Sequence, residues 1–386
     1  MTSRLKKIKE VLRRERADAL VVWNSEGVGQ PATGWLSGFW GTASVLFVTA
    51  AQQLLITDGR YGVQARKEAK GFQIFISSVG KPTRAIFSEI VAKYNIRKIL
   101  FDGSVTMHST VEEMRQCLSR HTTTNTTTAF GRPSSTKEGM ENSELISRKG
   151  MLQELRIIKE KREIVLLKKA ADIACGAFTK LLPELHAGMT EKSVARRLED
   201  LMVGEGADGI AFPTIVASGK NGAHPHAKAS DKKIRKGELV TIDFGARFRG
   251  YVSDITRTVA IGKITPRLKK MYEAVRKAQE LGCRKTKAGI TGAEIDAVCR
   301  TYLAKKGYGK YFTHSTGHGI GMEIHELPHI SLSNTEALPA GAIITCEPGV
   351  YIQNVGGVRI EDALVLTEKG NINLSKSLFK KLLILC

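Results

Sequence analysis

The chain has 386 residues, 42% hydrophobic and 25% charged, the balance of soluble globular domains and enough length for two of ordinary size. No run approaches the roughly 18 apolar residues of a membrane span, no secretory leader is expected after the basic opening MTSRLKKIKE, and the closing LLILC lacks the C-a-a-X order of a prenylation signal. The net charge of +21 is spread along the chain, with 22 basic and 13 acidic residues in 1–150 and 37 and 25 thereafter, and no aromatic-studded basic stripe accompanies it, so specific nucleic-acid binding is not expected.

In chain order, residues 4–20 read as a helix and VVW opens a strand. SVLFVTAAQQLLITDGRY gives two strands joined by a turn, followed by helix YGVQARKEA, strand FQIFISS, helix TRAIFSEIVAKY and strand KILFD. Strands alternating with helices predict a compact α/β domain over 1–142. SVGK is no phosphate loop, because Phe75 stands where the pattern requires glycine. The Thr-rich stretch 121–136 marks a boundary or loop, and the sequon at Asn125 is set aside in a chain without a secretory route. One long helical pattern then opens near Met151 and starts a second domain, 151–386. The six cysteines form no C-x-x-C pair and no disulfide framework, which points to a reducing cytoplasm.

The second domain repeats itself. AGMT at 187–190 and AGIT at 288–291 lie 101 residues apart, as do Gly206 and Gly307 at the far ends of the helices they open. Thr291 with Glu294 makes a capping box, and Thr190 reads as a plain N-cap. KGELVTIDFG and AGAIITCEPG are again alike, now offset by 104, so Asp243 matches Glu347. Each of these segments begins a hairpin bearing two acids. A turn centred on Phe248 and Arg249 places Asp243 directly across from Asp254, and a loop centred on Asn354 places Glu347 opposite Glu361. Facing carboxylates repel, and burial raises the penalty. Related halves packed about a pseudo-twofold axis bring all four to one cleft, where two divalent ions about 3.5–4 Å apart, sharing a hydroxide nucleophile, relieve the repulsion. HSTGHGIGMEIHELPH supplies imidazoles. His318, flanked by Gly317 and Gly319, is the ligand candidate among His314, His318, His325 and His329. Oxygen donors with one imidazole suit manganese, cobalt, iron or zinc. Cys346 points to the other face of its strand and reads as packing.

With these residues in hand, the sequence resembles the aminopeptidase P and prolidase (Xaa-Pro dipeptidase) branch of the pita-bread metallopeptidases over almost its whole length. The resemblance rests on LSGFWGTASVLFVT and LLITDGRY in the first domain, LRIIKEKREI at the junction, and IVASGKNGAHPHA, VTIDFGA, SDITRT, GHGIGMEIHE, TCEPGVYI and VRIEDA in the second. It implies an α+β protein: a smaller N-terminal creatinase-like α/β domain, then a pita-bread domain with an internal pseudo-twofold repeat. By resemblance two divalent metal ions, manganese first among them, are held by Asp243, Asp254, His318, Glu347 and Glu361. Asp243 chelates one ion and His318 and Glu347 the other, while Asp254 and Glu361 bridge. Glu347 serves as general base, His226 and His325 stabilise the intermediate, and His314 lines the proline side. Arg359 either holds the substrate carboxylate or orients an acid. The resemblance also implies a homodimer.

The implied activity is hydrolysis of N-terminal Xaa-Pro bonds in short peptides, as an aminopeptidase or a dipeptidase. An Xaa-Pro bond is a tertiary amide without the N–H that extended-backbone peptidases require. The alternative is an inactive scaffold of the same fold that binds peptides or nucleic acid, since fold alone does not secure function. That alternative is disfavoured because no ligand is missing. Metal-free, creatinase-like C–N hydrolysis is disfavoured too, because four facing acids would lack counter-ions. Three departures from the family pattern stand out: the Thr-rich insertion, His329 where relatives often carry arginine, and His224 where they mostly carry an apolar residue.

Overall fold

The computed structural model of the chain describes residues 3–27, 29–119 and 143–386, so the Thr-rich stretch 121–136 lies outside the described residues. The chain divides into two compact units, Met1–Leu155 and Arg156–Cys386. Among the described residues no helix is long and apolar enough to cross a membrane.

The first unit is built on one six-stranded sheet. Its spatial order is Gln73–Ser77, Gln53–Asp58, Ser44–Thr49, Ala19–Asn24, Lys98–Phe101 and Glu144–Ser147. The two middle strands, ALVVWN and SVLFVT, are antiparallel and almost wholly buried, which is why they read as continuous apolar runs. Helix Thr83–Lys93 buries Ile86, Phe87, Ile90 and Val91, a helical spacing that seats Phe87 with its ring centre 4.8 Å from that of Phe47. Helices Pro31–Ser37 and His108–Ser119 and the edge strand Glu144–Ser147 are additions to the elements expected from sequence.

The long helix expected from Met151 is two helices, Met151–Arg156 and Lys161–Leu181. Between them Ile158 bridges to Ala342, and the Lys159 amide donates to the Gly341 carbonyl at 2.9 Å. Glu160 and Glu163 then form a capping box that restarts the helix.

In the second unit the repeat is visible in its hydrogen bonds. Gly188 N–H donates to Ile234 and Gly289 N–H to Leu338, each at 2.9 Å, which are the same contact at the two sequence offsets. Both glycines have positive φ, 99° and 83°, a conformation that favours glycine at each entry turn. Helices Glu191–Gly204 and Gly292–Lys305 follow. Thr190 proves to have a full capping box as well, with Ser193 playing the part that Glu294 plays for Thr291. Each half closes its own apolar core. One holds Phe178, Leu198 and Phe244, and the other Tyr272, Ile295 and Leu364.

The acid-bearing hairpins lie in these halves. In the first, strands Glu238–Phe244 and Ile255–Ile261 pair with Asp243 opposite Thr256, not Asp254. The turn is centred on Arg249 and Gly250, both with positive φ, one residue later than expected, because a two-residue turn of this hand needs a glycine at its centre. Asp254 is thus a diagonal neighbour of Asp243 on the same face. In the second hairpin, Cys346 pairs with Asp362 and Gly349 with Arg359, a register that sets Glu347 across from Glu361, with Asn354 at φ 60° in the loop.

A buried ion pair ties the two halves. Arg257 Nη2 meets Asp362 Oδ1 at 2.7 Å with both side chains fully buried, and Arg257 also donates to the Glu361 carbonyl. Burial works to raise the Asp362 carboxyl, but Arg257 and Lys380 hold it below the usual carboxylate range. Arg257→Met strands this carboxylate with Lys380, Ser375 and Gln279 as remaining partners. It is expected to destabilise the chain by about 3 kcal/mol, the low end for a broken buried pair, in chemical denaturation. Adding Asp362→Asn should restore part of the loss.

Candidate metal centre

The five ligand candidates stand at strand ends or in a constricted strand. Asp243 is the penultimate residue of Glu238–Phe244, Asp254 precedes Ile255–Ile261, Glu347 follows Ile343–Cys346, and Glu361 precedes Asp362–Thr367. His318 is the middle of Gly317–Gly319. A Cβ at Gly317 would lie 2.1 Å from the Thr345 carbonyl oxygen, and one at Gly319 2.2 Å from that of Leu327, so only glycines let this strand fit between its neighbours. Cys346 turns away into the apolar core.

Ligand atoms of Asp254, His318 and Glu361 lie within 4.8 Å of one another. His318 Nε2 is 3.6 Å from Asp254 Oδ2 and 3.2 Å from Glu347 Oε1. The other ring nitrogen, Nδ1, faces the Gly319 carbonyl at 3.1 Å, an acceptor that fixes the proton on Nδ1 and aims Nε2 at the acids. Burial pushes the Asp254 and Glu361 carboxyls well above their ordinary range, and the neighbouring acid charges push them further. Asp243 is raised by burial and by Glu347, against the pull of Arg359. Glu347 goes the other way: burial would raise it, but the hydrogen bond from His318 and the charge of Arg359 hold it at about 2.

Two buried oxygens here, Asp243 Oδ1 and Glu361 Oε1, have no hydrogen-bond partner among the described residues. Unpaired carboxylate oxygens, clustered acids and one imidazole make a donor set that fits divalent cations. The fit is electrostatic as well, because positive charge at this point relieves the repulsion that raises Asp254 and Glu361.

Around the cluster stand residues that sequence inspection passed over. Thr256 donates its hydroxyl to Glu361 Oε2 at 2.7 Å and fixes that carboxylate. Thr345 Oγ1 donates to Glu347 Oε1 and accepts from the His318 amide, both at 3.0 Å. Arg359 is buried and spends four donors internally: on Asp243 Oδ2 at 2.6 Å, Thr256 Oγ1 at 3.1 Å, the Tyr351 hydroxyl at 2.8 Å and the Pro225 carbonyl at 3.1 Å. Of the two roles open to it, orienting an acid matches this geometry. Tyr351 stands 2.9 Å from His314 Nε2, so a hydrogen-bonded chain runs from Arg359 through the phenol to the imidazole. Burial pushes the Tyr351 hydroxyl up to about 12 and lowers His314, so the phenol donates to a neutral ring. None of Thr256, Thr345 and Tyr351 carries a sequence signal beyond lying near the acids.

A cavity of about 770 Å³ opens onto Asp243, Asp254, His318 and Glu347. His226, His314, His325 and His329 line it as well, and the rings of His318 and His325 meet edge to face with centres 4.3 Å apart. His226 and His325 are exposed. The structure thus brings every ligand and substrate-binding candidate of the sequence to this one region, with Glu361 joined through Asp254 and His318. A space of this size, lined by acids, imidazoles and apolar Phe212, Pro213 and Ile324, suits a short peptide and hydrolytic chemistry.

Comparison with known proteins agrees in family. Residues 165–368 match the model for metallopeptidase family M24, and residues 4–133 match the creatinase/prolidase N-terminal domain. The chain is 38% identical over 374 residues to an uncharacterized peptidase of Bacillus subtilis, covering 97% of this chain and 98% of that protein. It is 44% identical over 227 residues to the Xaa-Pro dipeptidase of Pyrococcus horikoshii, covering 59% of this chain and 65% of that protein. Among solved structures, the X-Pro aminopeptidase from Thermotoga maritima aligns with a TM-score of 0.87 at 34% identity, over 99% of this chain and 100% of that one. By both its peptidase domain and its near full-length relatives, the chain belongs to metallopeptidase family M24.

Proposed function

We infer that this protein is a metal-dependent exopeptidase that hydrolyses N-terminal Xaa-Pro bonds. The observation that carries this is the convergence of four carboxylates, Asp254 and Glu361 buried and Asp243 and Glu347 partly so, with His318 Nε2 beside a peptide-sized, histidine-lined cavity. The proline preference is taken from the activities for which the Pyrococcus and Thermotoga relatives are named.

Asp243, Asp254, His318, Glu347 and Glu361 would hold two divalent ions. Such ions supply Lewis acidity to a scissile carbonyl and ease deprotonation of water. Glu347 takes the proton of the attacking water on a carboxylate oxygen and passes it to the departing proline nitrogen. Its low pKa keeps it ionised, and Thr345 holds its Oε1 in place. His226 and His325 donate to the carbonyl oxygen as it becomes tetrahedral. His314 faces the cavity with its Nε2 accepting from Tyr351, so it shapes the wall beside the proline ring. Arg359 holds Asp243 in its ligating orientation. Manganese as resident ion, a homodimer and a cytoplasmic location rest on the family resemblance and on the free cysteines.

Protein loaded with manganese or cobalt is expected to cleave Ala-Pro, Ala-Pro-Ala or both, to hold about two ions per subunit by elemental analysis, and to lose activity on chelation. Cleavage of neither peptide by the loaded protein rules the proposal out, and the ratio of the two rates separates dipeptidase from aminopeptidase. Glu347→Ala should abolish turnover, followed as proline release, and retained activity would remove Glu347 from its assigned role. Arg359→Gln, which frees Asp243, should weaken metal retention about 10- to 100-fold, the range for lost outer-shell partners. Competition with a fluorescent chelator reads this out.

A further inference from the structure

We propose that Arg196 and Lys228 form a carboxylate-selecting wall of the cavity, so that the enzyme favours peptides carrying a negative charge away from the scissile bond, an inference resting on the peptidase function above. Helix Glu191–Gly204 turns Lys192, Ala195, Arg196 and Glu199 toward the cavity, a spacing of three, four and seven residues that defines one helical face. Buried Val194, Leu198 and Met202 and the Thr190–Ser193 capping box fix that face in place.

Two of its polar side chains are already engaged. Lys192 pairs with Asp231 at 2.7 Å, and Glu199 accepts from the Thr214 amide at 3.2 Å. Arg196 lines the same cavity, is exposed, and has no hydrogen-bond or ion-pair partner among the described residues. Lys228, two residues beyond His226, is likewise exposed, cavity-lining and unpartnered among the described residues. Beside the engaged Lys192 and Glu199, these two cations on the wall of the reaction cavity leave a place for an anion that arrives with the substrate. A carboxylate matches the planar guanidinium fork and the lysine point charge. It can come from the C-terminus of a dipeptide or from an acidic first residue.

Four substrates separate these sources. Ala-Pro against its amide isolates the terminal carboxylate, and Glu-Pro amide against Gln-Pro amide isolates the side-chain one. In at least one pair the charged member should be preferred about tenfold in kcat/KM, the effect of two part-exposed charge pairs. The preference should lie mainly in KM and shrink at high salt. The Arg196→Gln, Lys228→Gln double variant should lose that preference while cleaving the neutral members as before, and Arg196→Lys should keep part of it. No preference in either pair, or a preference that survives the double variant, overturns the proposal. If loaded protein cleaves none of the four, the peptidase function itself fails and this inference falls with it.

Discussion

Four carboxylates confined together, two with an oxygen that finds no hydrogen-bond partner among the described residues, are the constraint around which the second unit is organised. Two unit charges 4 Å apart repel by about 4 kcal/mol at an effective dielectric of 20. A fold gains nothing by gathering such groups unless positive charge joins them. Here the chain's own cations are placed to aim the acids rather than to neutralise them all. Arg359 grips Asp243 by one oxygen, and Arg257 serves Asp362, one residue past Glu361, on the far side of the strand. Asp254 and Glu361 are left with the highest unmet demand for a cation.

Duplication supplies the acids, and a few neutral side chains bring the copies into register. Thr256 on the first hairpin reaches Glu361 and Arg359 on the second, and Thr258 exchanges hydrogen bonds with the Arg359 backbone at 2.9 and 3.3 Å. These threonines are fully buried, so every hydroxyl bond is made where water does not compete. The same layer that joins the halves therefore also orients the ligands, and stability and chemistry share residues. The loop bearing His325 is braced in a similar way. Glu326 beside it is buried against Arg156 and Lys159 at 3.2 and 3.1 Å and accepts the Met322 and Glu323 amides.

Much of this was legible in the sequence because it depends on residue type and spacing. Charged residues in apolar strands announce themselves, and so does the 101- and 104-residue offset, whose bonds at Gly188 and Gly289 recur in three dimensions. The register of the second hairpin was equally readable, since its turn is symmetric about Asn354. The first hairpin was misjudged by one residue at the turn and so by two in pairing, because the choice between Phe248–Arg249 and Arg249–Gly250 depends on backbone conformation. The break at 157–160 was invisible for a different reason. Its helical pattern is continuous, and a tertiary bridge from Ile158 to Ala342 overrides it.

By itself, then, the sequence determined the class of chemistry: which acids and which imidazole are present, that they come in duplicate, and that their burial calls for divalent ions. The tertiary structure decided how they are held. Whether Arg359 touches substrate or an acid, which hydroxyl fixes Glu361, and which cations remain free on the cavity wall all depend on contacts between residues far apart in the chain. Composition and periodicity are local properties. Hydrogen-bond partners across a hundred residues are chosen only when the two halves pack.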